Sequence, residues 1–268
     1  MLLQTAQVSG LTSGLSRQLR PWRAPRSVHD PGKTVLASDP TISRLIDALG
    51  GEPAAAIAAI RRARAAARAA VWQLSSPVPA AGEVVIDLDA TLFGAHSEKE
   101  NATPNFKRGF GFHPMMAFVD HGAGGTGEPL AAMLRPGRAN ASDAADQIAV
   151  LDAALTQLPE ALRSRVLVRG DTGSGVKEFL WHIRHLSLSY SVGVYGRQPV
   201  LDALAALPRQ AWRQAREADG RPRDGAQVAE LTRWLPATVL GWPPGMRVIA
   251  RRERPHPGAQ LRITDTHG

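Results

Sequence analysis

The spacing of apolar positions changes character near residue 82. Before it, the clearest pattern is helical. After it, short apolar runs closed by Gly, Pro or Asp alternate with longer helical stretches. Residues 1–36 are rich in Gly, Ser, Pro and Arg without a sustained period, so mostly irregular backbone is expected there. Ser38-Asp39-Pro40 puts a capping residue ahead of a first-turn proline and predicts a helix over Thr41–Leu49, ended by Gly50-Gly51. Glu52-Pro53 opens a second helix to about Leu74, dominated by alanine, the strongest helix former. Ser75–Gly82, with two prolines, reads as a linker.

Val84-Val85-Ile86 suits a buried strand and is closed by Asp87-Leu88-Asp89. Phe110–Val119 and Pro129–Leu134 read as two further strands, a hairpin joined through the glycine-rich Gly122–Gly127. Ala141–Leu158 is helical, with Ile148, Leu151, Leu155 and Leu158 three or four apart. Arg165–Arg169 is a fourth strand, Val176–Leu186 a helix and Leu188–Tyr195 a fifth strand. Beyond Gly196 the pattern is mixed, with a helix near Val200–Leu207 and strands near Met246–Arg252 and Gln260–Thr264. The resulting order, β-β-β-α-β-α-β, resembles the RNase H-like α/β core with its mixed sheet. It divides the chain into an N-terminal helical region over 1–82, a core over 83–195 and a C-terminal insertion region over 196–268.

In that topology strands 1 and 4 are parallel neighbours, about 4.8 Å apart. Asp89 ends strand 1 and Asp171 follows strand 4, so their carboxylates would meet at one sheet edge. Close carboxylates repel unless a cation lies between them, and oxygen donors suit Mg²⁺ or Mn²⁺. The competing reading is two aspartates that only cap strand-to-loop turns. Composition adds a polyanionic partner to the picture: net charge is +8, from 32 Lys and Arg against 24 Asp and Glu. The absence of cysteine excludes disulfides, thiol catalysis and Cys-ligated zinc, and fits a cytoplasmic protein. No apolar run is long enough to span a membrane, and the N-terminus lacks a signal-peptide pattern.

Several blocks in a fixed order extend this reading. Val84–Thr91 with His96-Ser97-Glu98-Lys99-Glu100 resembles the first catalytic block of bacterial insertion-sequence transposases with a DDE domain of the group 1 type. Phe106–Pro114 with Phe118-Val119-Asp120 resembles the block that follows it, and Gly127–Leu130 with Leu134–Gly137 and Asn140 the third-strand block. Val166–Gly173 resembles the second-aspartate block, and Val248-Ile249 with Arg251–Pro255 a late strand of the insertion region. The resemblance implies cleavage and transfer of double-stranded DNA at transposon ends by Mg²⁺-assisted chemistry in a possible homo-oligomer, with Asp89 and Asp171 as the catalytic, metal-binding first and second acids. Asp87 is then structural. The family's third acid is a Glu on a helix after the insertion region. Here Glu217, Glu230 and Glu253 all precede its place, and the blocks around Val28–Lys33 and Ser38–Pro40 lie unusually close. An incomplete copy, inactive on its own, is therefore expected.

Two rivals remain open at this level. Asp87-x-Asp89-x-Thr91 after an apolar strand is also the opening motif of haloacid-dehalogenase-like Mg²⁺-dependent phosphatases, with Asp87 as nucleophile. A non-catalytic DNA-binding remnant is the other: Thr41–Leu45 resembles the start of a recognition helix. Arg61, Arg64 and Arg68 share a helix face and are candidate phosphate contacts, against a plain solvated face. Lys107 and Arg108 are candidate DNA contacts, against a structural role, and Trp212, Trp234 and Trp242 are expected to pack. Gly32-Lys33-Thr34 lacks the strand and first glycine of a phosphate loop, and His182 with His185 lacks a carboxylate at zinc-ligand spacing.

Overall fold

Two short helices, α1 (Leu2–Val8) and α2 (Leu11–Gln18), occupy part of the stretch expected to be irregular. The structure, a computed structural model, describes residues 2–23, 39–75, 82–95, 99–122, 127–235 and 240–254. Helices α3 (Asp39–Gly51) and α4 (Pro53–Ser75) follow as expected, α3 running on through Gly50 and Gly51. The early helices escaped the pattern because they are short: α2, with Leu11, Leu15 and Leu19 four apart, spans only eight residues. It gains order by packing: Gly14 lies where a Cβ would stand 3.5 Å from that of Ala63, and Ala56, Ala59, Ala63 and Ala67 are buried along α4. Small side chains on both helices let the backbones approach, and tertiary contact supplies what periodicity lacks.

Strand β1 (Val84–Ala90) alternates as a half-buried strand should, with Val84, Ile86 and Leu88 in the core and Val85, Asp87 and Asp89 on the other face. The expected second strand is two. β2 (Phe93–Gly94), β3 (Thr103–Pro104) and β4 (Phe110–Phe112) form a small separate sheet, and β5 (Met115–Asp120) joins β1 after a break at His113-Pro114. Proline carries no N–H for the ladder, which ends one pairing and starts another. β6 (Glu128–Met133) pairs antiparallel with β5. Helices α5 (Ala144–Leu155) and α6 (Glu160–Arg163) lead to β7 (Val166–Gly170), and α7 (Lys177–His185) leads to β8 (Ser189–Val192).

The five-stranded sheet has the order β6-β5-β1-β7-β8, with β7 parallel to β1 and β5 antiparallel to it. This is the mixed sheet of the expected RNase H-like fold. The core lies on one face, where Val150, Leu151 and Ala154 of α5 and Phe179 and Ile183 of α7 meet Ile86, Leu88, Ala117 and Val168. Trp72 of α4 joins the same cluster. The helices before residue 82 thus belong with the sheet in one compact unit, Met1–Gly193, and Val194–Gly268 forms a second.

The second unit holds α8 (Gln198–Ala205), β9 (Arg213–Arg216), β10 (Pro222–Glu230) and β11 (Ile249–Glu253), the strands forming an antiparallel sheet centred on β10. Periodicity had shown only α8 and β11; β9 and β10 are arginine-rich or interrupted by Gly225, and their alternation is weak. Trp242 is buried as expected, whereas Trp234 is partly exposed and the Arg252 guanidinium lies 4.2 Å from the Trp212 ring centroid. The strand expected near Gln260–Thr264 and the Gly32-Lys33-Thr34 segment lie outside the described residues.

In the arginine row of α4, Arg64 and Arg68 are bonded within the protein. Arg68 is 6% exposed, with Nε 2.5 Å from Glu128 Oε1, Nη2 donating to the Pro129 carbonyl and Nη1 to the Gln157 carbonyl and side chain. Arg64 Nη2 donates to the same Pro129 carbonyl at 2.7 Å, and burial, then the neighbouring Arg68 charge, lowers its pKa. One turn further, Trp72 Nε1 donates to Glu128 Oε2 at 3.1 Å. Residues 64, 68 and 72 recur every four positions, so the row faces β6 rather than solvent. Arg61 is half-buried. Replacing Arg68 with Met removes the buried partner of the Glu128 ion pair and the guanidinium donor to the Gln157 carbonyl, and should cost about 3 kcal/mol in urea denaturation. Glu128→Gln should cost less, because that carboxylate retains 31% exposure.

Candidate active site

The parallel pairing of β1 and β7 runs from Val84↔Val166 to Leu88↔Gly170. Asp89 and Asp171 each follow the last paired residue, so they occupy matching positions on neighbouring strands spaced about 4.8 Å apart. Both are exposed. Asp171 is further oriented: its Oδ1 accepts from the Gly173 N–H at 2.8 Å and caps a short 3₁₀ turn, Thr172–Ser174. The carboxylate is thereby pinned by its own turn, with the second oxygen left for other partners.

The turn is held from behind. Gln147, 1% exposed on α5, donates from Nε2 to the carbonyls of Gly173 at 2.9 Å and Ala141 at 2.8 Å. Gly170 must lack a side chain, since a Cβ there would stand 2.3 Å from the buried Ser174 Oγ. Gly193, at the end of β8, would bring a Cβ within 2.8 Å of the Thr172 nitrogen. None of these supports was named from the sequence, where only the Gly-Asp-Thr-Gly run was conspicuous.

Asp87 stands two residues before Asp89 on the same face and is fully engaged. Arg169, its register partner, donates Nε to Asp87 Oδ1 at 2.5 Å and Nη2 to Oδ2 at 2.7 Å, and Nη2 also reaches Asp120 Oδ2 at 2.7 Å. The bidentate bond to Asp87, then the bond to Asp120, raises the Arg169 pKa and keeps the guanidinium charged. Asp120 is held below the usual carboxylate range, first by the Gly122 N–H and then by Arg169. Asp87 is therefore bonded through both carboxylate oxygens to the neighbouring strand. The phosphatase rival fails on topology, since two antiparallel pairings follow β1.

A family model described as transposase DDE domain group 1 matches residues 17–267. The chain belongs to this family. No curated protein matches it. A transposase domain implies DNA as substrate, and no helix among the described residues is long and apolar enough to cross a membrane.

In this transposase domain the other acids considered for the site are engaged within the second unit. Glu217 pairs with Arg223 at 3.3 Å, and Glu253 with Arg223 at 3.1 Å and Arg251 at 3.4 Å. Glu230 bonds the Thr232 hydroxyl and, at 2.6 Å, Arg247; burial alone would raise its pKa, but these bonds lower it. Among the described residues no group of three or more His, Asp or Glu side chains converges as a metal cluster. His182 has a carboxylate partner that spacing did not reveal, Asp152 at 2.7 Å. Lys107 and Arg108 are exposed on the turn between β3 and β4, and His113 is buried with Nδ1 2.8 Å from the Ala139 carbonyl. The His96-Ser97-Glu98 block lies outside the described residues.

Two tests follow from this geometry. Gly170→Ala overpacks the turn and should cost about 2 kcal/mol of stability, most of it recovered when Ser174→Gly is added. A carboxylate with a lowered folded pKa contributes stability that is complete above its unfolded pKa, about 3.9, and is lost as pH falls through the folded value. Asp120→Asn should therefore flatten the fall in urea-measured stability below about pH 4 while leaving its slope near neutrality unchanged.

Proposed function

We propose that this transposase domain cleaves and joins DNA strands at the ends of an insertion sequence, with Asp89 and Asp171 jointly holding Mg²⁺ or Mn²⁺. The observation that carries the reading is the register of β1 against β7, which ends one residue short of an aspartate on each strand. The donor set fits the ion. Both groups offer hard oxygens, and Mg²⁺ is commonly held by one or two carboxylates, its remaining positions filled by water and substrate phosphate. When bound, such an ion activates water and stabilises the leaving oxygen of a phosphodiester.

The chain's own residues supply orientation. The Gly173 N–H fixes one Asp171 oxygen, Gln147 anchors the turn that carries it, and Arg169 keeps Asp87 from competing for the cation. Two carboxylates hold one ion well; a second ion at about 3.5–4 Å calls for a further acid. Duplex DNA would approach the exposed edge, with Lys107 and Arg108 as phosphate contacts and Arg61 a lesser one. Arg64 and Arg68 are left out because their guanidinium groups are bonded internally.

Mn²⁺ titration of the full chain should show one site whose affinity drops at least tenfold in Asp89→Asn and in Asp171→Asn, since each removes one of two anionic ligands. Asp87→Asn should change it little. Parental Mn²⁺ affinity in both Asp89→Asn and Asp171→Asn would end the proposal.

A further inference from the structure

We propose that the small β2–β4–β3 sheet is a stacking platform for unpaired bases of the DNA strand, a role that rests on the transposase reading of the neighbouring site. Register places its aromatic residues together. Phe93 is paired with Phe112, and Pro104 with Phe110. Cross-strand partners share a face, and so do residues two apart on one strand, so Phe93, Pro104, Phe110 and Phe112 line the same side. Phe93 is 52% exposed and Phe110 41%, and Phe106 on the adjoining turn is 71% exposed. β2 begins four residues beyond Asp89, which puts this face on the strand that leads out of the candidate active site.

The edge of the sheet beside β3 is braced. Pro136 bridges to Phe112, and the Gly137 N–H is bonded to the Gly111 carbonyl at 3.0 Å. A Cβ on Gly137 would stand 2.4 Å from the Thr103 carbonyl oxygen, and the Arg138 N–H donates to Thr103 Oγ1 at 2.9 Å. The turn is preorganised as well: Asn105 Oδ1 accepts from the N–H groups of Lys107 and Gly109, both at 3.0 Å, and Arg108 takes φ +62°. The rings are thus presented on a scaffold with little freedom to fold them away.

Charge selects the partner. Lys99, Lys107, Arg108 and Arg138 surround the sheet, and among its described residues and turns the only carboxylate is Glu100. Lys107 Nζ lies 5.8 Å from the Phe106 ring centroid. Exposed rings interleaved with cations match a strand whose bases stack and whose phosphates meet positive charge; in a duplex the bases already stack on one another. An uncharged apolar partner would leave these cations unused.

The test is fluorescence anisotropy of a labelled oligo-dT and of a duplex of equal length, with the full chain in metal-free buffer. Phe93→Leu combined with Phe110→Leu keeps apolar bulk and removes the rings. It should weaken oligo-dT binding about tenfold or more and change duplex binding less than twofold. Lys107→Ala with Arg108→Ala should reduce the log-log salt slope for oligo-dT by about 1.4, at roughly 0.7 per contact. Oligo-dT affinity within twofold of the parent in the Phe double variant overturns the proposal. So does a change in that variant confined to oligomeric state, which would assign the face to a second copy of the chain. Mn²⁺ affinity of the Phe variant should stay parental, so failure of the platform and failure of the metal-site reading give separate results.

Discussion

The parallel hydrogen-bonded ladder between β1 and β7 is the constraint on which the rest of this molecule depends. Parallel strands need a long crossover, and here the chain spends β5, β6 and α5 before returning to lay β7 beside β1. Because side chains alternate, the same ladder that buries Val84, Ile86, Val166 and Val168 turns Asp87, Asp89 and Arg169 to the opposite face. A one-residue slip would exchange those sets, putting carboxylates in the core. Core packing and the register of the aspartates are consequently one specification, enforced by apolar burial.

Around that ladder the protein adds supports at points where sequence patterns are silent. Helix α4 is fastened to the edge strand β6 by a buried guanidinium that satisfies a carboxylate and two carbonyls. The turn after β7 is fastened by one amide, Gln147, that reaches two carbonyls from α5. Both are polar anchors in largely apolar surroundings, and each is specific because an unpaired buried carbonyl is costly. They fix where elements sit more than they add net stability.

The order of elements along the core was legible in apolar runs and spacing, and the pairing of β1 with β7, with the matching positions of Asp89 and Asp171, followed from the resemblance of that order to the RNase H-like topology. Less legible was everything set by contact between distant segments. Arg68 reads as a surface cation in a helix of alanines; only the presence of Glu128 and Pro129 sixty residues on makes it a buried anchor. α2 is too short for its stripe to stand out and packs against the alanine face of α4. β4 was hidden inside the long apolar run Phe110–Val119, and its partners β2 and β3 are two residues each, too short for any alternation to show.

Arg169 carries a consequence for the approach of substrate. Asp87, Asp89, Asp120 and Asp171 put four carboxylates on one face of three adjacent strands, Asp89 and Asp171 at its far end. Unscreened, they would present a negative field to an incoming phosphodiester and push it away before any cation could bridge the gap. Arg169, shared between Asp87 and Asp120, is a permanent counterion built into the sheet. It confines the repulsive potential to the two aspartates at the edge, the place where a divalent cation would reverse its sign.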